Sequence, residues 1–296
     1  MRVGSALRWV PIAAALLLFG CGTASEPKRP GGPALWEVSD GDTRVLMLGT
    51  LHALPDDVKW LNGRVAEAAD GADELVLEIP PDEDREAQGR AFARLAARAP
   101  DPIEGRIPAG LRDELRAVAA QAGQPLTALD HMDDWAVAVL LSGASVSRSG
   151  MSRENGVEER LTRRFRANGR PIRGLETAEQ QFALFDALPP TAQRSYLIDV
   201  LRDEEDGRDP RPQAVRDWAR GDADALGRLV NAELATNPAL REAILVRRNH
   251  NWASWIERRL DRPGTVLLAV GAGHLAGAES VQAMLAERGL TVRRVR

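Results

Sequence analysis

Leu46-Met47-Leu48-Gly49-Thr50-Leu51-His52 and, near the other end of the chain, Ala269-Val270-Gly271-Ala272-Gly273-His274 are two copies of one arrangement, an apolar strand running into Gly-x-x-His. Glycine lets a chain turn sharply where a strand ends, so each histidine falls just past a sheet edge. In open α/β sheets that edge is where ligands bind. One such motif is a weak signal, because a lone histidine reads equally well as a local cap or a satisfied core imidazole. Two copies, each after an apolar strand, read as one site.

Outward from these motifs the pattern is strands at both ends and helices between. Residues 34–38 and 44–48 flank an Asp40-Gly41 turn and predict a hairpin. Residues 75–79 and 171–175 read as further strands. Residues 265–270 are continuously apolar, as in a strand covered on both faces. Residues 291–295 alternate and predict a half-exposed terminal strand. Helical patterns occupy residues 56–70, 109–122, 133–142, 154–168, 177–188 and 191–202, the last two parted by Pro189-Pro190. A long helix opens at Thr236-Asn237-Pro238 and runs to about Leu260, and another covers 275–288 before Gly289. The expected fold is mixed α/β: a small central sheet with a largely helical middle, one domain over residues 34–296.

Two carboxylates stand at strand ends. Glu78 closes Leu75-Val76-Leu77-Glu78-Ile79 among apolar neighbours, where an unpaired charge is costly; the alternative is an edge position facing water. Glu176, in Gly174-Leu175-Glu176-Thr177, reads as a site carboxylate or as a helix cap. On the long helix, Leu240, Ile244, Leu245, Trp252, Trp255, Ile256 and Leu260 form an apolar stripe that also carries Arg248 and Asn249. A guanidinium and an amide on a core-facing stripe require buried partners, and Glu78 or Glu176 would serve, in a site or in a structural ion pair. Both readings expect a buried Arg248. His131 and His250 are read as structural. The sequence holds no Gly-x-Ser-x-Gly elbow, no His-Glu-x-x-His and no phosphate-cradling glycine loop.

The N-terminus sets the expected compartment. Arg2 and Arg8 precede an apolar run over residues 9–19, shorter than the roughly 20 residues a spanning helix needs and suited to a secretory signal. It ends in Leu18-Phe19-Gly20-Cys21, which resembles a bacterial lipobox with a bulkier residue than usual at Phe19. Cys21 is the only cysteine, so a disulfide within one copy and a multi-thiolate zinc site are excluded. The expectation is a signal peptide over 1–20, a lipidated Cys21 and a flexible tether over 22–33. Acyl chains contribute about 0.8 kcal/mol per buried methylene, enough for stable anchoring in the cell envelope. The absence of Asp after Cys21 resembles outer-membrane sorting, facing the periplasm of a diderm cell. A net charge of −4 argues against nucleic acid, and 44% hydrophobic residues suffice for a core.

The ordered set Gly49-Thr50-Leu51-His52, Leu75-Val76-Leu77-Glu78, Gly174-Leu175-Glu176-Thr177, Arg248-Asn249 with Trp252, and Val270-Gly271-Ala272-Gly273-His274 resembles the TraB/GumN family, which includes the Tiki proteins. It is similar, more remotely, to the erythromycin-esterase and haem-binding iron-regulated lipoprotein group. The resemblance implies a metal-dependent hydrolase of peptides or proteins, with His52, Glu78 and His274 around a divalent metal (Mn, Co, Fe or Zn) that brings the pKa of a bound water towards about 7. Glu78 or Glu176 would then be ligand or general base. Arg248 with Asn249 would orient carboxylates or steady an oxyanion. The alternatives are a haem- or ligand-binding envelope lipoprotein and a non-catalytic peptide-binding regulator. Gly156-Val157-Glu158 carries Glu where family members often have Asp, a departure that bears on activity.

Overall fold

The computed structural model describes residues 31–81, 84–148, 150–205 and 209–296. The signal segment, Cys21 and the tether up to residue 30 lie outside the described residues. Strands β1 (Leu35–Ser39) and β2 (Thr43–Thr50) form the expected antiparallel hairpin, closed by the Asp40 carboxylate accepting the Thr43 N–H at 2.9 Å. With β3 (Glu74–Leu77), β4 (Ile172–Gly174), β5 (Gly264–Gly271) and β6 (Val292–Arg294) they build one six-stranded sheet in the order β4-β3-β5-β2-β1-β6. β2, β5, β3 and β4 pair in parallel, and β1 runs against both of its neighbours. Thr50 lies opposite Gly271, and Leu77 opposite both Ala269 and Gly174. The carboxyl ends of four adjacent strands therefore reach one edge together.

The sheet is buried on both faces, as its apolar strands require. Leu46, Leu48, Leu75, Leu77, Leu267 and Ala269 pack against Trp60, Trp218 and the helices Gly63–Gly71 and Val157–Ala167. Met47, Val76, Val266, Leu268 and Val270 face the helices Arg247–Arg259 and Val281–Glu287. A separate helical core around Leu115, Val118, Val137, Leu141, Leu197 and Leu201 lies in the chain between β3 and β5. The mixed α/β class with a helical middle is thus what the chain forms.

Several elements depart from the sequence expectation. Residues 56–62 are not helical; the helix starts only at Gly63. The preceding segment is recruited into tertiary pairing instead: Leu54 and Ser152 exchange backbone hydrogen bonds, the Asp56 carboxylate accepts the Asn155 amide, and Trp60 is fully buried. The long helix is three pieces. Asn237 caps Pro238–Arg241, a widened π turn follows at Glu242–Val246, and Arg247–Arg259 completes it. The C-terminal helix is Val281–Glu287, because Ala272–Leu275 winds into a separate single turn after β5. Helices Arg85–Ala96, Arg211–Ala219 and Ala223–Leu234 were not anticipated. Each carries its buried residues on a short stripe diluted by charge, which hides the helical period.

Candidate functional site

The parallel register carries His52, Glu78, Glu176 and His274 to the same sheet edge, each one to three residues beyond its strand. The helix Arg247–Arg259 crosses below them and supplies Arg248, Asn249 and Trp252, all buried. Arg248 is the hub. Its Nη2 donates to Glu78 Oε2 at 2.6 Å and lies 3.0 Å from Glu176 Oε2, and its Nε donates to Glu176 at 3.1–3.2 Å. Its Nη1 donates to the Ile244 carbonyl of the π turn at 3.1 Å and meets His274 Nε2 at 2.9 Å. All three guanidinium nitrogens are engaged by protein groups, so Arg248 orients the two glutamates.

That geometry settles the state of His274. Arginine only donates, so His274 Nε2 accepts and the ring proton sits on Nδ1. Nδ1 donates to Asn249 Oδ1 at 2.6 Å, and the Asn249 amide is oriented by donating to the Glu279 carbonyl at 2.7 Å. Burial, with Arg248 adjacent, pushes the His274 pKa down to about 3, so it is neutral at physiological pH. Trp252 packs 4.3 Å from its ring and donates to Glu176 Oε1 at 2.9 Å. Gln181, absent from the sequence reading, donates to both Glu78 and Glu176 at 3.2 and 3.1 Å.

Glu78 also accepts the Gly271 N–H at 2.6 Å. Burial works against its ionisation, but the charges of His274, Arg248 and His52 and the Gly271 N–H outweigh it and hold the carboxyl down to about 2. With His274 neutral, the Arg248 charge is the strongest of these, ahead of His52 and the Gly271 N–H. A Cβ at Gly271 would lie 3.1 Å from Glu78 Oε1 and 3.5 Å from the His274 ring, so a side chain there would crowd the carboxylate.

His52 is built differently. Its Nδ1 lies 2.7 Å from Glu158 Oε1, and Thr50 Oγ1 donates to the same oxygen at 2.5 Å. Glu158 is the second residue of the helix Val157–Ala167, whose cap is Gly156, where a Cβ would fall 2.2 Å from the His52 carbonyl oxygen. Only glycine lets that helix start so close beneath His52. The Glu158 carboxylate raises the His52 pKa to about 9, although the ring is 73% exposed and water screens the pair. The partnership holds Glu158 below its ordinary range despite its burial. Nε2 of His52 has no hydrogen-bond partner among the described residues. Sequence reasoning noted position 158 only as a departure from Asp; the glycine two residues before it was the available signal.

Two cavities meet at His52 and Glu78. One, of about 410 Å³, is walled by Leu184, Phe185, Val230 and Ile244 as well as Arg248 and His274. The other, of about 420 Å³, contains Arg85, Arg153, Glu158 and Thr162. Of the six residues singled out from sequence, His52 and Glu78 stand where both cavities join, Arg248 and His274 form one wall, and Asn249 and Glu176 lie behind that wall. His131 and His250 lie elsewhere. The three expected metal ligands do not form a donor set in this arrangement. His274 has a lone pair only on Nε2, and Arg248 occupies it. Among the described residues no group of three His, Cys, Asp or Glu side chains is placed to hold a metal ion.

A mixed α/β protein with a buried arginine–carboxylate–histidine network at the carboxyl edge of its parallel strands is the class that fold and site define. The chain belongs to the TraB/PrgY/gumN family, whose profile matches residues 34–294. It is similar to the uncharacterized protein YbaP of Escherichia coli (strain K12), 24% identical over 253 residues, covering 86% of this chain and 92% of that one. An uncharacterized protein of Treponema pallidum (strain Nichols) is 23% identical over 270 residues, covering 86% and 80% of the two chains. No solved structure matches.

Proposed function

We propose that the protein is a hydrolase of the cell envelope that cleaves peptide-type acyl bonds, with His52 as its proton-transfer group. One observation carries this reading: Glu158 holds His52 through Nδ1 and leaves Nε2 unpartnered at the junction of two cavities. A carboxylate that fixes the tautomer and orientation of an imidazole is the arrangement by which a histidine takes a proton from an attacking nucleophile and returns it to a leaving amine. Here the nucleophile is water: neutral His52 removes one proton as the oxygen attacks the carbonyl, and the imidazolium then protonates the departing nitrogen. Glu78 faces the same junction as a fixed anion. Arg248, His274, Asn249, Glu176 and Gln181 hold it there and are positioning residues.

The divalent metal implied by the family resemblance is not needed for these steps, and the committed lone pair of His274 argues against the expected triad. Anchoring through a lipidated Cys21 is part of the proposal and rests on the lipobox-like sequence. Among the described residues no helix is long and apolar enough to cross a membrane.

The test is hydrolysis of a fluorogenic peptide library by the purified protein, its His52→Ala variant and the chelator-treated wild type. We expect wild-type turnover that chelation leaves intact and that His52→Ala lowers by about 10²–10⁴-fold. Equal turnover in the variant, or none in the wild type, would sink the reading. Chelator-sensitive turnover restored by metal would instead return the metal to the mechanism. Peptide binding without cleavage would favour the regulator.

A further inference from the structure

The two cavities that meet at His52 differ in character. On one side Leu184, Phe185, Val230, Leu234, Ile244 and Leu245 make an apolar lobe that belongs to a 410 Å³ space. On the other side, a space of about 420 Å³ is lined by Glu78, Glu158 and Glu159 and by Arg85 and Arg153. Glu158 is bound to His52, Glu78 to Arg248, and Glu159 lies 3.9 Å from Arg163. Arg85 and Arg153 remain, both exposed and without an ion-pair partner within 4.0 Å among the described residues. Arg153 is near enough to His52 for its charge to act on the imidazole. It lies on the single turn Arg153–Asn155, whose carbonyls also accept the Gly156 N–H and an Arg163 N–H, so it is carried by the same backbone that positions Glu158.

We infer that the substrate is a peptide with a bulky apolar side chain on one side of the scissile bond and a carboxylate, from Asp, Glu or the peptide C-terminus, on the other, the carboxylate facing Arg153. A chain threaded through both lobes passes His52 and Glu78, which line each of them. The apolar side chain fills the lobe that Val230 lines, and the carboxylate meets the Arg153 guanidinium, which has no ion-pair partner within 4.0 Å among the described residues. Arginine suits this task because its planar fork matches a carboxylate in a bidentate way. This rests on the hydrolase reading for the scissile bond, but its binding half stands alone.

The experiment is fluorescence anisotropy of dye-labelled peptides whose central bond is a hydrolysis-resistant ketomethylene isostere, on the full wild-type chain, so that binding is read without turnover and the His52–Glu158 pair stays intact. Three peptides are compared: one with Phe and Asp flanking the central bond, one with Asn for Asp, and one with Ser for Phe. We expect the first to bind about 3- to 10-fold more tightly than the Asn peptide and at least about 10-fold more tightly than the Ser peptide. Arg153→Glu should abolish or reverse the Asp preference while leaving the Phe preference in place, which shows that the variant is folded. Equal binding of all three peptides, no binding of any, or an Asp preference that survives Arg153→Glu overturns the inference. Wild-type turnover is followed separately. Selective binding without cleavage defeats the hydrolase and spares this inference, and cleavage without selectivity does the reverse.

Discussion

Two histidines that look alike in sequence, each at the end of Gly-x-x-His after an apolar strand, have opposite chemistry in the folded chain. His274 is enclosed and uses both nitrogens. His52 is exposed and uses one, against Glu158. The difference lies in their neighbours: a buried cation beside the first and a carboxylate beside the second. It leads to a prediction about rate. As a base His52 acts only when neutral, so turnover should rise with pH as its raised pKa, about 9, is approached. Glu158 is the main cause of that rise, first through its charge and then through its hydrogen bond. Glu158→Gln should therefore move the rising limb towards the ordinary histidine value of about 6.5 and lower the plateau by about 10–100-fold. The pH profile of kcat/KM checks this; an unmoved limb in the variant would show that another group titrates. The pairing of Arg248 with Glu78 and Glu176 was legible from its core-facing stripe, whereas that of Thr50 and His52 with Glu158 was not, because Thr50 and Glu158 lie 108 residues apart.

At the scale of elements, the site depends on how closely backbones approach. The helix Val157–Ala167 begins against the His52 carbonyl, and Gly156 is what permits it. Gly156→Ala places a methyl 2.2 Å from that oxygen, so the strand end or the helix start must move. We expect about 1–3 kcal/mol of destabilisation with turnover about 10²-fold lower, since displacement of a reacting group by about 1 Å costs that much. Thermal unfolding and kcat measured together check it; unchanged values of both would refute the packing argument. The central strands β2, β3 and β5 were legible as apolar runs, and burial on both faces explains why they do not alternate, while the edge strand β6 alternates and is half-exposed. The helix expected over 56–70 failed at its first half because tertiary bonds to Ser152 and Asn155 claimed that segment. The π turn before Arg248 was invisible too, since one extra residue in a turn leaves no mark on a stripe of this length.

For the whole molecule, the two histidines should shape stability against pH in opposite senses. His274 has a folded pKa lowered to about 3 by burial. Below about 6.5 the unfolded chain takes up a proton that the folded one refuses, so stability falls as pH drops through that window. His52 has a raised folded pKa, about 9. Its contribution is fully present below about 6.5 and is lost as pH rises through the folded value. The exposed ring makes that alkaline limb the shallower one. Glu78, depressed to about 2, contributes above its unfolded value and is lost only as pH falls towards 2. Thermal midpoints should therefore peak near pH ~6.5, and His274→Gln should lower the peak while flattening the acid limb. An acid limb of unchanged slope in that variant would contradict the neutral, buried state of His274.

The sequence by itself determined the strands that end in His52, Glu78, Glu176 and His274, the mixed α/β class, and membership of the family. These are properties of short runs, where apolar periodicity, glycine and proline speak for themselves. It also placed Arg248 on a core-facing stripe, which obliged that residue to find carboxylate partners. Only the tertiary structure decided which partners. It joined Arg248 to Glu78, Glu176 and His274 at once, left His274 no lone pair for a metal, and set Glu158 rather than a buried cation beside His52. Electrostatic state depends on the charges within a few ångströms of a group, and folding brings those from the far ends of the chain.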